Sequence, residues 1–380
     1  MEFDGGSNNE VFQQQSGLKI PWAKPMFCGY ERKYLLDAFD SGWISAGKYV
    51  RVFEESFARL HEDRHAVCVS NCTNALQLAL AAFGVGRDDE VIVPGFGFMA
   101  AANMVNVLGA TCVYADIDKT SWCIDVDLAA KCISPRTKAI VVLHLYGNIC
   151  DMDALVALAK QKGLILIEDV AQAVFSKYRG RNAGTFGDAA VFSFQSAKTI
   201  AMGEGGCVMV AGQALGQKMR LLRDHGMRKG KHYWHDVAGY NFRLTDLQAA
   251  LGCAQLENLD LILKRKRCVF KSYQKYLANE PGIEFQEFRE NIDPIVWAVV
   301  VKIDEKIFKA SRDDLIKALT KKGIETRPGF YPAGMMPVYC APQLPVAQEV
   351  SMRLISLPSF PALTDEEIRF VCQALKDLRG

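Results

Sequence analysis

The sequence has almost no charge of one sign to spare. Its 380 residues carry 45 Lys and Arg against 43 Asp and Glu, a formal charge of +2. Nothing here demands a polyanionic partner, because a nucleic-acid binder shows a basic excess or patch. No apolar run reaches the ~20 residues needed to cross a bilayer. Residues 1–17 lack the apolar core of a signal peptide, so a cytoplasmic protein with no membrane partner is expected. The 12 cysteines include no Cys-x-x-Cys pair, so a zinc ribbon or thioredoxin motif is not expected, nor a disulfide framework of the kind short secreted chains use. No metal site is expected: the pair His232 and His235 has no third ligand motif beside it. There is no G-x-G-x-x-G between a strand and a helix and no G-x-x-x-x-G-K-[ST], which leaves Rossmann and P-loop nucleotide binding unsupported.

Apolar residues make up 50% of the chain and charged residues 23%, the composition of an ordinary globular protein. Residues 1–17, rich in Gly, Ser, Asn and Gln, read as a flexible arm. Beyond them β-branched runs alternate with helical patterns. The expected strands are Ala66–Ser70, Glu90–Pro94, Thr111–Asp116, Lys138–Leu145, Gly163–Asp169, Ala189–Phe194 and Gly206–Val210. Such alternation predicts a parallel sheet with right-handed crossovers, and the near-continuous apolar strands predict helices on both faces. From Leu244 to Leu277 a long helix is expected, with a break near Asn258. Trp297–Ile303, Leu315–Lys321 and Asp365–Leu378 then suggest a smaller α+β domain.

Ligands of open α/β sheets bind beyond the carboxyl ends of the strands. After Ala66–Ser70 comes Asn71-Cys72-Thr73-Asn74-Ala75 at a helix start, whose N–H groups and dipole suit a phosphate as well as they suit a simple cap. After Leu164–Ile167 comes Glu168-Asp169, then Gln172. A carboxylate at a buried strand end needs a partner: a protonated pyridine nitrogen, a metal, an arginine, or solvent. After Ala189–Phe194 comes Lys198 with Gly203-Glu204-Gly205-Gly206. It is a surface lysine or a Schiff-base lysine, the second needing a lowered pKa. Taken in order, these are a phosphate-type helix start, a strand-end acid and a lysine 29 residues later, the order of a pyridoxal-phosphate site.

With Ser41-Gly-Trp-Ile-Ser45, Gly184-Thr-Phe-Gly-Asp188, Phe192-Ser-Phe194 and Gly239-Tyr-Asn-Phe-Arg243, these stretches make the chain resemble the fold-type-I pyridoxal-phosphate sugar aminotransferase family. Within that family, Tyr233-Trp-His-Asp236, Thr326-Arg-Pro328 and Phe330-Tyr-Pro332 are most similar to the GDP-perosamine synthase subgroup. The resemblance implies an α/β, aspartate-aminotransferase-like fold. Its large cofactor-binding domain, with a mostly parallel sheet, would span 18–255, and a small C-terminal α+β domain 256–380. It implies that Lys198 holds pyridoxal 5'-phosphate, that Asp169 pairs with the pyridine nitrogen, that Gln172 meets the ring-hydroxyl side and that Phe98 covers a ring face. Cys72, Thr73 and Ser193 would hold the phosphate, and Asn241 would reach the phosphate of a neighbouring subunit in a homodimer. Arg228, Lys229, Lys231 and Arg327 would meet a sugar diphosphate, with Trp43 and Tyr331 beside it. The implied reaction moves an amino group from L-glutamate to a keto or aldehydo sugar, above all a nucleotide-linked 4-keto-6-deoxy sugar, for surface polysaccharide or lipopolysaccharide. Other readings are an oxidised octulosonate or keto-cyclitol acceptor, or a non-catalytic binding module on the same fold. Cys72 stands where many members have glycine, and Gly95 and Gly97 where Ser and Thr are more usual.

Overall fold

The computed structural model describes residues 19–379; the expected arm, 1–17, lies outside the described residues. In chain order the first strands are β1 (His65–Val69), β2 (Glu90–Pro94), β3 (Thr111–Ala115), β4 (Thr137–Leu143), β5 (Ile165–Asp169), the short β6 (Lys177–Tyr178) and β7 (Arg181–Asn182), β8 (Ala189–Ser193) and β9 (Gly206–Val210). All but β6 and β7 join one seven-stranded sheet, ordered β1-β9-β8-β5-β4-β2-β3. Helices Cys72–Ala82, Ala100–Val107, Met152–Lys162 and Gln213–Arg223 connect or flank these strands. Every residue of β2, β8 and β9 is buried, as a sheet covered on both faces requires.

The sheet is mostly parallel, with one antiparallel member. β9 runs antiparallel to both β1 and β8. A parallel return needs a crossover, usually helical. The chain from Phe194 to Gly205 carries no helix, so β9 folds straight back on β8. That return loop holds Lys198 at the carboxyl end of the sheet.

The helical stretch beyond Leu244 is two helices, Asp246–Glu257 and Leu259–Leu277, separated at Asn258 (φ −104°, ψ 19°). The first opens on a reciprocal cap between Thr245 and Gln248, which fixes its start two residues later than expected. The C-terminal region holds β10 (Ile283–Phe285), β11 (Ile292–Asp293), β12 (Val300–Ile303), β13 (Arg327–Pro328) and β14 (Leu354–Ser356). Four of these form an antiparallel sheet, β10-β12-β14-β13, with its own apolar cluster including Tyr273, Val301, Leu319, Ile355 and Val371. Within the stretch Trp297–Ile303 the strand begins only at Val300. Trp297 instead takes a bend, its N–H donating to the Tyr146 carbonyl at 3.2 Å. Ile20 belongs to this second cluster, and Trp22 Nε1 donates to Ser356 Oγ at 2.9 Å, so the first described residues lie against the C-terminal region.

Candidate active site

Three loops leave the carboxyl ends of β1, β5 and β8 side by side. The first enters the helix Cys72–Ala82. Asn71 is its N-cap, and its side chain accepts the Asn74 N–H at 2.8 Å. Among the described residues nothing accepts from the N–H groups of Cys72 and Thr73. Both line a cavity of about 820 Å³. The cap and the open helix end therefore coexist, and a helix N-terminus with free N–H groups favours an anion.

The second loop carries the acids. Successive strand residues face opposite sides, and the two carboxylates meet opposite fates. Glu168 is fully buried and saturated. It accepts N–H groups from Gly184 at 2.8 Å, Phe186 at 2.8 Å and Gly187 at 2.7 Å, and His144 Nε2 lies 3.0 Å away. Cys150 N–H donates to His144 Nδ1, so Nε2 carries the proton toward Glu168. Although burial opposes the charge, these donors hold the Glu168 carboxyl below its ordinary value. The Gly184–Asp188 motif is thus a wrapping for Glu168. Asp169 is also buried, at 5% exposure, yet among the described residues only Ala171 N–H donates to it, at 3.0 Å. Burial pushes its carboxyl up, against the pull of Ala171 N–H and the Lys198 charge. It lines the cavity with an acceptor to spare.

The third loop brings Lys198 to the same cavity. Burial pulls its amine down to about 8, against the opposing charge of Asp169. The amine stands 3.8 Å from the centroid of the Trp297 ring, and Trp297 Nε1 donates to the Ala197 carbonyl at 2.8 Å. Ser193, Phe98 and Gln172 complete the wall. Gln172 accepts the Tyr146 N–H at 3.1 Å, which leaves its amide NH₂ for another partner. Tyr146, Phe330 and Trp22 also line the cavity. Tyr146 stacks on both Phe330 and Trp297. These aromatics were missed in the sequence, although Tyr146 lies just past β4, where the strand-end rule points.

The expected substrate residues divide. Arg327 lines the cavity, its guanidinium 4.1 Å over the Trp22 ring. The other five do not reach the cavity of their own chain. Arg228 is exposed and held by Asp236 at 3.0 Å. Lys231 sits 3.6 Å over the exposed Trp234 ring. Lys229 borders a separate groove with Arg220 and Arg223. Trp43 is 70% exposed, and the Tyr331 hydroxyl is engaged by Arg312 Nη2 at 3.3 Å. Asn241 is exposed, its backbone bridged to Asp224. At Gly97, φ is +135° and a Cβ would stand 2.4 Å from the Leu143 side-chain tip, so a larger residue there would be strained.

A half-buried lysine of lowered pKa, a buried carboxylate short of donors and an open helix end around one cavity fit an aldehyde, a protonated ring nitrogen and a phosphate. A strand-end site of this kind on a mostly parallel sheet defines a pyridoxal-phosphate-dependent aminotransferase. The chain belongs to the DegT/DnrJ/EryC1/StrS aminotransferase family, whose pattern matches residues 29–376. It is 40% identical over 365 residues to the GDP-perosamine synthase of Vibrio cholerae, covering 94% of this chain and 98% of that one. Among solved structures, DesI in the presence of its TDP-sugar product superposes with a TM-score of 0.88 at 32% identity, covering 97% of this chain and 95% of that one. The PLP-form of the putative sugar aminotransferase Spr1654 from Streptococcus pneumoniae superposes with a TM-score of 0.88 at 25% identity, covering 94% and 98%. The protein is a sugar aminotransferase, and its cofactor is pyridoxal phosphate. Among the described residues no helix is long and apolar enough to cross a membrane.

Proposed function

We propose that the chain transfers the amino group of L-glutamate to a nucleotide-linked 4-keto-6-deoxy sugar, giving an amino sugar for surface polysaccharide or lipopolysaccharide in the cytoplasm. The observation that carries the site is the grouping of Lys198, Asp169 and the open helix end on one cavity. The acceptor class rests on the similarity to GDP-perosamine synthase and to a TDP-sugar enzyme, two proteins whose ligands share a nucleoside diphosphate.

In this reading the N–H groups of Cys72 and Thr73 and the Ser193 hydroxyl hold the phosphate. Asp169 holds the proton on the ring nitrogen. Phe98 covers one ring face, and Gln172 offers its amide NH₂ to the ring hydroxyl. Bound pyridoxal phosphate supplies a carbonyl that accepts the amino group and a ring that takes up an electron pair. Lys198 Nζ removes the α-proton of the donor and later returns a proton to the acceptor carbon. A pKa near working pH suits a group that serves as base and acid in turn. Arg327 meets the acceptor's diphosphate. Asn241, Arg228, Lys229 and Lys231 lie outside their own chain's cavity, and Trp43 with them. They serve the cavity of a second copy, so the working unit is a homodimer with two equal sites.

The test is the visible spectrum of the protein with pyridoxal phosphate, before and after L-glutamate. A band at roughly 410–430 nm that moves toward roughly 330 nm on glutamate addition is expected from the cofactor's chemistry. A band that glutamate leaves in place removes glutamate as donor. Chromatography of the product from GDP- and TDP-linked keto sugars then reads the acceptor.

A further inference from the structure

The wall of the cavity carries an arginine whose placement depends on two residues that the reaction as described does not use. Arg327 opens β13, and Ser356 stands opposite it in β14. Both line the cavity, as does Trp22. The Arg327 guanidinium lies 4.1 Å over the Trp22 ring, and its Nη2 donates to Glu325 Oε1 at 3.2 Å. The other oxygen of the same carboxylate, Oε2, accepts the Trp22 N–H at 2.9 Å. Glu325 therefore clamps the ring and the guanidinium that lies on it. Trp22 itself is buried and fixed at each of its polar groups: its indole N–H donates to Ser356 Oγ, and its carbonyl accepts the Ser359 N–H at 3.2 Å. Just before it, Ile20 and Ile324 form a parallel bridge, in which the Ile20 carbonyl accepts the Glu325 N–H at 2.9 Å. The ring's other neighbour is Trp297, edge-on at 5.5 Å, the residue whose face meets Lys198.

We propose that Trp22 and Glu325 are positioning residues for Arg327: together they hold its guanidinium at the cavity wall as a fork for the acceptor's diphosphate, and so set affinity for the acceptor and not for the donor. The Arg327 side chain is 56% exposed. An arginine this open to solvent samples many rotamers unless something holds it, and ordering a long side chain opposes binding. A ring to stack on and a carboxylate to hold one nitrogen do the ordering before the ligand arrives. Among the described residues Glu325 is the only acceptor that Arg327 meets, which leaves Nε and Nη1 for a ligand. A guanidinium meets a phosphate two N–H groups at a time, and a lysine offers neither the planar stack nor the fork. The Trp22 ring stands between Arg327 and Trp297, so the diphosphate end and the reacting end of the acceptor are referred to one side chain.

The inference rests on the reading that Arg327 meets the acceptor's diphosphate. Calorimetry of the holoenzyme with GDP and with TDP reads that contact without turnover, and the change of the visible band on L-glutamate addition reads the donor half. Arg327→Gln should weaken the nucleotide that binds by roughly 10–100-fold, the worth of a hydrogen bond to a charged group. Glu325→Asp keeps the charge but is one methylene too short to hold both partners. It should weaken the same nucleotide roughly three- to tenfold, the cost of ordering one long side chain on binding, with the glutamate dependence of the band unchanged. Trp22→Leu should weaken it likewise, and Trp22→Phe, which keeps a ring face, should recover part of the loss. Trp22 is buried, so its loss also lowers Tm; Glu325 is half-buried, and its variant carries the test on its own. Weakened binding in Arg327→Gln with wild-type affinity in Glu325→Asp overturns the inference alone. So does a Glu325→Asp protein whose glutamate dependence moves together with its nucleotide affinity. Binding of GDP and TDP that is absent from wild type, or unchanged in Arg327→Gln, overturns the diphosphate reading and the inference with it.

Discussion

Gly206 gives the sharpest single test of how the phosphate end of the site is built. It opens β9, and its backbone lies against the start of the helix Cys72–Ala82. A Cβ at this position would stand 2.4 Å from the Asn71 carbonyl carbon, 2.5 Å from its oxygen and 2.7 Å from the Cys72 nitrogen, where ordinary contact begins near 3.4 Å. Gly206→Ala must therefore push the strand and helix backbones apart by roughly 1 Å. Neither side is a flexible side-chain tip; one is a central strand, the other a capped helix. Overpacking of this kind costs about 1–3 kcal/mol, and each kcal/mol lowers Tm by roughly 2–4 °C in domains of this size. The shift also draws the Cys72 and Thr73 N–H groups away from the anion. A helix terminus contributes up to ~2 kcal/mol to a bound charge, so pyridoxal-phosphate affinity should fall by roughly 10–30-fold. Absorbance titration of the apoprotein measures the affinity, and thermal unfolding measures the stability. Gly86→Ala is the control, since its Cβ would meet nothing closer than the Leu108 carbonyl at 3.9 Å. A Gly206→Ala protein with wild-type Tm and wild-type cofactor affinity would refute the close approach and the role given to this helix end.

The two acids of β5 should separate cleanly when changed. Asp169→Asn keeps the shape and loses the proton-holding charge, so turnover should drop by ~10²-fold or more, the scale of a positioned acid or base, while Tm stays within a few degrees; near-normal turnover counts against the ring-nitrogen role. Glu168→Gln should act on stability instead, because it replaces a buried charge that accepts three backbone N–H groups and faces His144, and breaking one partner of such a set costs about 1–3 kcal/mol. The Glu168 carboxyl lies below its ordinary value of 4.5 in the folded protein. Its stabilisation is therefore present above pH 4.5 and fades as the pH falls through the folded value. Wild type should lose Tm steeply through that acid range, and Glu168→Gln, already weaker at neutral pH, should lose less; parallel Tm-versus-pH curves would remove Glu168 from the account.

How far the site was legible depended on where each residue lies in the chain. Cys72, Thr73, Asp169, Gln172 and Lys198 stood out because each lies at or just past the end of an apolar strand run, and parallel strands deliver such residues to the same end of the sheet; Ser193, inside its run, came only from the family resemblance. The reversal of β9 was not written in its apolar pattern, since a buried strand reads alike in both directions. The missing helical pattern between Phe194 and Gly205 was the available signal. Trp297 and Phe330 come from the C-terminal region. Their place around Lys198 follows from packing between distant segments, which no local spacing encodes. Arg228, Lys231 and Asn241 show the opposite limit: their motifs stood out in sequence, yet one chain gives them no ligand to face. The dipeptide Glu168-Asp169 marks the finest distinction. Either acid could have been the one that meets the cofactor. The strand pleat sends them to opposite sides, and the Gly184–Asp188 loop directs its N–H groups to Glu168. What leaves Asp169 free to act is the saturation of its neighbour, a difference made by a loop that begins 15 residues further along the chain.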